Sequence, residues 1–372
     1  MPDGRESMSP RDGQIVTFYS FKGGTGRTMA LANVAWILAA NGLRVLVADW
    51  DLESPGLHRF FEPFLDAEIS ESPGIVDLIR SYEWAAKNFE SVIGKLAEGD
   101  EEARKAARDK LGQIIDQKAL VGEYAISLNW DFPEGGGLSF LSPGEQTTRE
   151  YQAAISGLDW ENFYNRLHGG LFFDALRANM KRGYDYVLID SRTGLSDVAD
   201  ICTLHLPDVV VDCFTLSTQG VEGAAMIADM IQDNPHRDRS IRILPVPMRI
   251  DQAEKEKADA GRAFAASRFA GLPGGMSDEE RRDYWAAVEV PYRVFYAYEE
   301  ILAVFGDAPG SPTSLLSSYE RIAREITDGA VARLPVMDEA LREETRRGFA
   351  RGSLDARRPP SPVREVALDF SP

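Results

Sequence analysis

Apolar residues along this chain come in short unbroken blocks more often than in alternating pairs. Ile15-Val16-Thr17-Phe18-Tyr19, Val45-Leu46-Val47-Ala48, Tyr186-Val187-Leu188-Ile189, Val209-Val210-Val211 and Ile241-Arg242-Ile243-Leu244 are such blocks. Runs of this kind predict strands buried on both faces, as parallel sheets require. Between the first two lies Met29 to Ala40, a helix-forming stretch closed by the C-cap signal Asn41-Gly42. Another helix is expected from Val221 onward, and helices again up to Asp328. Strands alternating with helices predict an α/β fold: a doubly wound, mainly parallel sheet with helices on both faces.

Elsewhere the pattern is weaker. Gly74 to Ile79 predicts a short helix against the sheet, and Lys95 to Lys118, rich in Ala, Glu, Lys and Arg, an exposed helix or a pair. Trp160, Phe163, Tyr164, Phe172 and Phe173 suit either a partner groove or core packing, and core packing is favoured because buried aromatics need no ligand. Gly271 to Asp278 is a Pro/Gly turn region. Residues 1–13 are expected to be a disordered start and 334–372 a mobile charged tail, Pro/Ser-rich at Arg358 to Arg364. Within the tail, the acids among Leu341 to Arg351 favour a solvated helix over a membrane anchor.

Composition narrows the function classes. The 372 residues are 44% hydrophobic and 27% charged, with a formal net charge of −18. Such an acidic chain gives no strong sign of binding DNA or an anionic membrane. Cys202 and Cys213 sit in apolar surroundings and make no disulfide framework, and four histidines with two cysteines show no zinc spacing. No targeting segment is visible, so a cytoplasmic location is expected.

The chemistry concentrates at Phe21-Lys22-Gly23-Gly24-Thr25-Gly26-Arg27-Thr28, between the first strand and the first helix. Strand, glycine-rich turn and helix form the context of a phosphate-cradling loop. Backbone N–H groups of Gly23, Gly24, Thr25 and Gly26 can form an anion nest, reinforced by the helix N-terminus. Thr28 stands where a hydroxyl reaches the magnesium ion between β- and γ-phosphates. Against G-x-x-x-x-G-K-[ST], Phe21 replaces the first glycine and Arg27 the lysine. Arginine keeps the charge but is planar and longer. Two further carboxylate sites follow apolar strands: Asp49-Trp50-Asp51, and Asp190 ahead of Ser191-Arg192-Thr193-Gly194. Acids at strand ends point into the crevice where open α/β sheets bind ligands.

The glycine loop resembles the deviant Walker A motif, K-G-G-x-G-K-[ST], of the MinD/ParA family of P-loop ATPases. Val45 to Leu52 is similar to that family's D-x-D motif, and Tyr184 to Gly194 to its Walker B motif, with Arg192-Thr193 where two prolines are usual. Gly136 to Gly144 resembles its third strand and P-x-G turn, and Val290 to Tyr296 its late I-P strand. The resemblance covers Ile15 to Asp328 and implies a P-loop domain over 14–333, with 80–135 as a helical insertion. It implies ATP and Mg²⁺ as cofactors. Lys22 would reach the nucleotide of a facing subunit, and Asp51 would position the lytic water. Gly23, Gly24, Thr25, Gly26, Arg27, Thr28, Met29 and Arg249 would hold the nucleotide. Thr28, Asp49 and Asp190 would serve the metal. Arg249 follows Met248 in the loop that reads the base. Gly194 would report the γ-phosphate, while Arg192 is open between a phosphate contact and a loop cap.

The function so implied is a magnesium-dependent ATP-binding switch with slow ATPase activity, an ATP-dependent homodimer controlling an unknown protein partner. A nonhydrolysing nucleotide-bound scaffold is the alternative, because Arg27 departs from the motif. Amide ligases or transferases on the same fold form a third class, for which no second-substrate site is visible.

Overall fold

The computed structural model describes residues 12–356, apart from 66–68, 70–71, 97–99, 147–148, 235–238, 252 and 299. Residues 1–11 and 357–372, where most of the expected disordered start and the Pro/Ser-rich end fall, lie outside the described residues. In chain order the strands are β1 (Gln14–Tyr19), β2 (Arg44–Asp49), β3 (Ala125–Ser127), β4 (Gly137–Leu141), β5 (Tyr186–Asp190), β6 (Val209–Phe214) and β7 (Arg242–Pro247). They form one sheet in the order β3-β4-β2-β5-β1-β6-β7, parallel throughout except for β3 at the edge.

The unbroken apolar blocks follow from this placement, because alternate residues of β1 face opposite cores. Val16 and Phe18 join the core under the first helix, while Ile15 and Tyr19 join cores on the other face. Helix α1 (Arg27–Ala40) is buried along nearly its whole circumference. A helix that is apolar all round must be covered on all sides. The sheet covers one side of α1, and on the other Trp36 meets the rings of Phe64, Trp130, Phe132 and Phe305.

The expected short helix at Gly74 to Ile79 is the first turn and a half of a longer one, α2 (Ile75–Leu96), which packs on α3 (Glu101–Lys118). Residues 80–135, expected as a helical insertion, comprise most of this hairpin and then β3, whose antiparallel pairing with β4 the sequence pattern did not predict. Below it lie α4 (Arg149–Ser156), α5 (Trp160–Asn165) and α6 (Gly169–Gly183). Phe163, Phe172 and Phe173 are buried beside Tyr82 in the core, as expected of packing residues. Trp160 and Tyr164 instead line an open hollow with Asp197, Asp200 and His205. After β5 comes α7 (Asp197–Asp200), after β6 α8 (Thr218–Asp233), and after β7 α9 (Lys255–Arg268) and α10 (Asp278–Ala287).

Two expectations are corrected in the last third. Val290 to Tyr296 is not a strand: Pro291 makes an isolated bridge to Ile250, and Val294–Ala297 is one turn of 3₁₀ helix. Proline cannot donate to a ladder, which confines pairing here to a single bridge. The chain continues through α11 (Ala303–Gly306), α12 (Leu315–Ile326) and α13 (Glu339–Ala356). The tail expected to be mobile from 334 therefore begins with a docked helix. Phe349 of α13 is buried against Phe64 and Phe305, and Arg342 donates to the carbonyl of Asp307 at 2.7 Å. Charge content concealed this, since Phe349 is the buried aromatic anchor in an otherwise charged helix. No helix among the described residues is long and apolar enough to cross a membrane.

One buried charge site serves none of this packing. Asp212 in β6 is 1% exposed, and neither carboxylate oxygen has a hydrogen-bond partner among the described residues. Burial pushes its carboxyl well above the usual aspartate range. A folded-state pKa above the unfolded one means that folding takes up a proton at intermediate pH. The contribution of Asp212 to stability therefore declines as pH rises above the ordinary value of about 4. Asp212→Val removes the carboxyl at similar volume. Urea unfolding is expected to show the variant gaining about 1–3 kcal/mol on the wild type at pH 8, with a smaller difference at pH 5. A difference independent of pH would contradict the buried, proton-binding state.

Candidate nucleotide site

The carboxyl ends of β1, β2, β5 and β7 meet at one edge of the sheet, and the loops leaving them enclose a cavity of about 640 Å³. Its floor is the turn between β1 and α1. Gly24 and Gly26 have φ of +73° and +91°, conformations open to glycine at little cost. A side-chain carbon built on Gly23 would meet nothing within 4 Å, so the loop faces open space. Phe21, in place of the glycine of an ordinary P-loop, lays its ring on Gly223 of α8, where any side chain would collide. It wedges the loop against α8.

Every expected residue from Gly23 to Met29 lines this cavity, together with Asp51 and Arg249. Lys22 does not. It is exposed and donates from Nζ to Oε1 of Gln219, at the start of α8. Asp190 lies just beneath the floor, 1% exposed, and Asp49 is fully buried beside it. The two are register partners on neighbouring parallel strands, which points both carboxyls to the same face.

Arg27 turns inward. Its guanidinium is 5% exposed, with Nε 2.6 Å from Oδ1 of Asp190 and Nη2 3.5 Å from Oδ2 of Asp51. Burial opposes its charge, but the charge and hydrogen bond of Asp190, then Asp51, more than compensate and raise its pKa. Thr28 donates from Oγ1 to Oδ2 of Asp190 at 2.8 Å. This leaves the lone pairs of the hydroxyl free to face a cation, as the expected metal role requires. Thr28 with Asp190 therefore fits a magnesium ion. Among the described residues no three His, Cys, Asp or Glu side chains gather around a metal position. P-loop magnesium draws most of its ligands from phosphates and water, and one hydroxyl and one carboxylate suffice.

Asp49, expected to serve the metal, does not line the cavity. It accepts from the backbone N–H groups of Asp51, Gly56 and Leu57 at 3.2, 3.2 and 3.1 Å. Its oxygens thus organise the loop that carries Asp51. Burial, then the neighbouring Asp190, pushes its carboxyl up to about 8 against the pull of those N–H groups. Asp51 itself reaches the cavity, its pKa raised by burial while Arg27 holds it down. Arg192, left open between two roles, bonds Glu53 and so ties the loop after β5 to the loop after β2. The carbonyl of Gly194 accepts from the hydroxyl of Tyr19 at 3.0 Å.

The side wall is built by the loop after β7. Arg249 has φ of +57°, unusual for a residue with a side chain, and donates to the carbonyl of Gly24 at 2.5 Å. Its guanidinium stacks 4.6 Å over the ring of Tyr292. Tyr292, with Val290, Pro291 and Tyr319, lines the cavity beyond Arg249, whereas the sequence reading placed it in the expected late strand and in no site. The only local signal is an aromatic after Val290-Pro291. What brings it to the glycine loop is the bridge between Ile250 and Pro291.

Residues 16–130 match the CobQ/CobB/MinD/ParA nucleotide binding domain family. Among solved structures, the chain is similar to a Cyanothece McdA variant in complex with ATP, at 14% identity and a TM-score of 0.53. The match covers 88% of this chain and 99% of that one. It is also similar to a protein described as a plasmid partition protein, from Borrelia burgdorferi B31 and bound to AMPPNP, at 13% identity and a TM-score of 0.50. That match covers 86% and 99% of the two chains. At these identities the likeness is one of fold, and the fold is that of MinD/ParA-type P-loop proteins. No curated protein matches the sequence.

The geometry separates two roles for Asp49. If it organises the loop, Asp49→Ala leaves three N–H groups without their acceptor. Urea unfolding without nucleotide or metal should then show a loss of about 2 kcal/mol. A residue serving only a metal would leave the nucleotide-free protein unchanged.

Proposed function

We propose that this chain is an ATP-binding switch with slow ATPase activity, which dimerises around nucleotide to control a protein partner. The observation that carries this reading is the glycine loop. Gly24 and Gly26 hold the left-handed conformations that turn backbone N–H groups toward one point, above which a cavity of about 640 Å³ opens. The ATP and AMPPNP complexes of structures with this fold favour an adenine nucleotide.

In this reading the N–H groups of Gly23 to Thr28 hold the phosphates, with the helix dipole of α1 behind them. The base and ribose lie toward Met248, Arg249 and Tyr292. Thr28 and Asp190 would hold magnesium, which would supply positive charge beside the phosphates. Asp51 orients the attacking water and accepts its proton, and Asp49 keeps the Asp51 loop in place. Lys22 faces outward from its own phosphates and is available to a second subunit. The nonhydrolysing scaffold remains a second reading on one observation: Arg27 engages both Asp190 and Asp51, the two carboxylates that hydrolysis needs.

Two measurements test the proposal. Asp51→Asn should bind ATP and release phosphate about 100-fold more slowly or worse, the range for a lost general base. Phosphate release at the wild-type rate would remove Asp51 from the chemistry, and none in the wild type would favour the scaffold. Lys22→Ala should bind ATP by calorimetry yet stay monomeric in light scattering with nonhydrolysable ATP, where the wild type doubles in mass. A wild type whose mass ignores nucleotide would refute the dimer.

A further inference from the structure

Arginine in place of the P-loop lysine changes which cation stands at the head of the site. In an ordinary P-loop the strand-end carboxylate and the phosphates both look to a divalent cation for their positive charge. Here the carboxylates already have one. The Arg27 guanidinium lies 2.6 Å from Asp190 and 3.5 Å from Asp51 and is 5% exposed. Arg27 also lines the cavity that the glycine loop opens into, so the residue that neutralises the floor borders the space above the loop. Among the described residues its Nη1 reaches only Ser20 Oγ, at a long 3.5 Å, which leaves that nitrogen with donor capacity for an incoming oxyanion. An arginine cannot shed its proton, and its fork serves two carboxylates and a phosphate at once, which a lysine ammonium does less well.

We propose that Arg27 is a built-in counter-ion for the nucleotide, so that this chain binds metal-free nucleoside triphosphate about as well as the magnesium complex. Magnesium enters the cycle only for hydrolysis. The inference rests on the nucleotide-binding reading above. One further cation borders the same cavity. Arg249 is anchored on the carbonyl of Gly24 and lines the same cavity, while Lys22 points away to Gln219. Without Arg27, the buried Asp190 and the half-buried Asp51 would face a polyphosphate with uncompensated charge, and a divalent cation would be needed between them.

Calorimetric titration of the wild-type protein with ATP, in excess magnesium and in excess EDTA, tests this directly and measures no catalysis. The two affinities are expected to agree within about threefold, and Arg27→Lys should lose at least about tenfold on removing magnesium. Circular dichroism melting would first establish that the variant is folded. A wild-type affinity that falls by more than about threefold in EDTA overturns the counter-ion role. So does a folded Arg27→Lys that ignores the metal. Absence of binding in both buffers overturns the nucleotide reading itself, which keeps the two failures distinguishable.

Discussion

Three carboxyls stand within one small volume under the glycine loop, and the parallel sheet puts them there. Asp49 and Asp190 are register partners at the ends of β2 and β5, and Asp51 returns from the next loop. Buried acids this close need compensation, because the charge of Asp190 raises the pKa of both Asp49 and Asp51. The site meets the conflict in two ways. Burial and Asp190 push Asp49 up to about 8, while Asp190 and Asp51 share the guanidinium of Arg27. Everything above the floor depends on that arrangement, since the charge presented to a phosphate is what remains after it.

The loops around the cavity are tied to one another through these same groups. Asp49 gathers the N–H groups of Asp51, Gly56 and Leu57, which fixes the loop after β2. Arg192 links that loop to the one after β5 through Glu53, and Tyr19 holds Gly194. Arg249 ties the loop after β7 to Gly24 while stacking on Tyr292. Three crossover loops thus meet the P-loop through side chains, not through a continuous hydrogen-bonded strand. A ligand that takes up the Arg27 or Arg249 donors would alter contacts in more than one loop at once.

The scaffold beneath is held from the outer side of α1, on the same face of the sheet. Asn33 in α1 accepts from the backbone N–H of Val304 and donates to the carbonyl of Met29, joining the P-loop helix to α11. Phe349 of α13 packs on Phe305 and Phe64, which in turn touch Trp36 of α1. The position of the first helix, and with it the direction of its N-terminus, is therefore supported by residues more than 250 positions later.

The sequence by itself determined the buried parallel strands, the glycine loop between the first strand and helix, and the order of the acidic sites along the chain. These are local properties: backbone sterics and apolar continuity act over a few residues and need no distant partner. Tertiary structure decided what each polar group does. Asp49 and Asp190 read alike, as acids ending apolar strands. One closes a loop and the other meets Arg27 and Thr28, a difference set by which N–H groups the fold delivers. Tyr292 gave almost no signal because its place comes from a single bridge between Ile250 and Pro291. Docking of α13 was hidden by its charged surface, since Phe349 and the Arg342 bond to Asp307 join it to the core from an otherwise charged helix. Motif spacing states which groups are present. Only long-range packing sets their partners, because the energy of a buried charge depends on what the folded chain brings within a few ångströms of it.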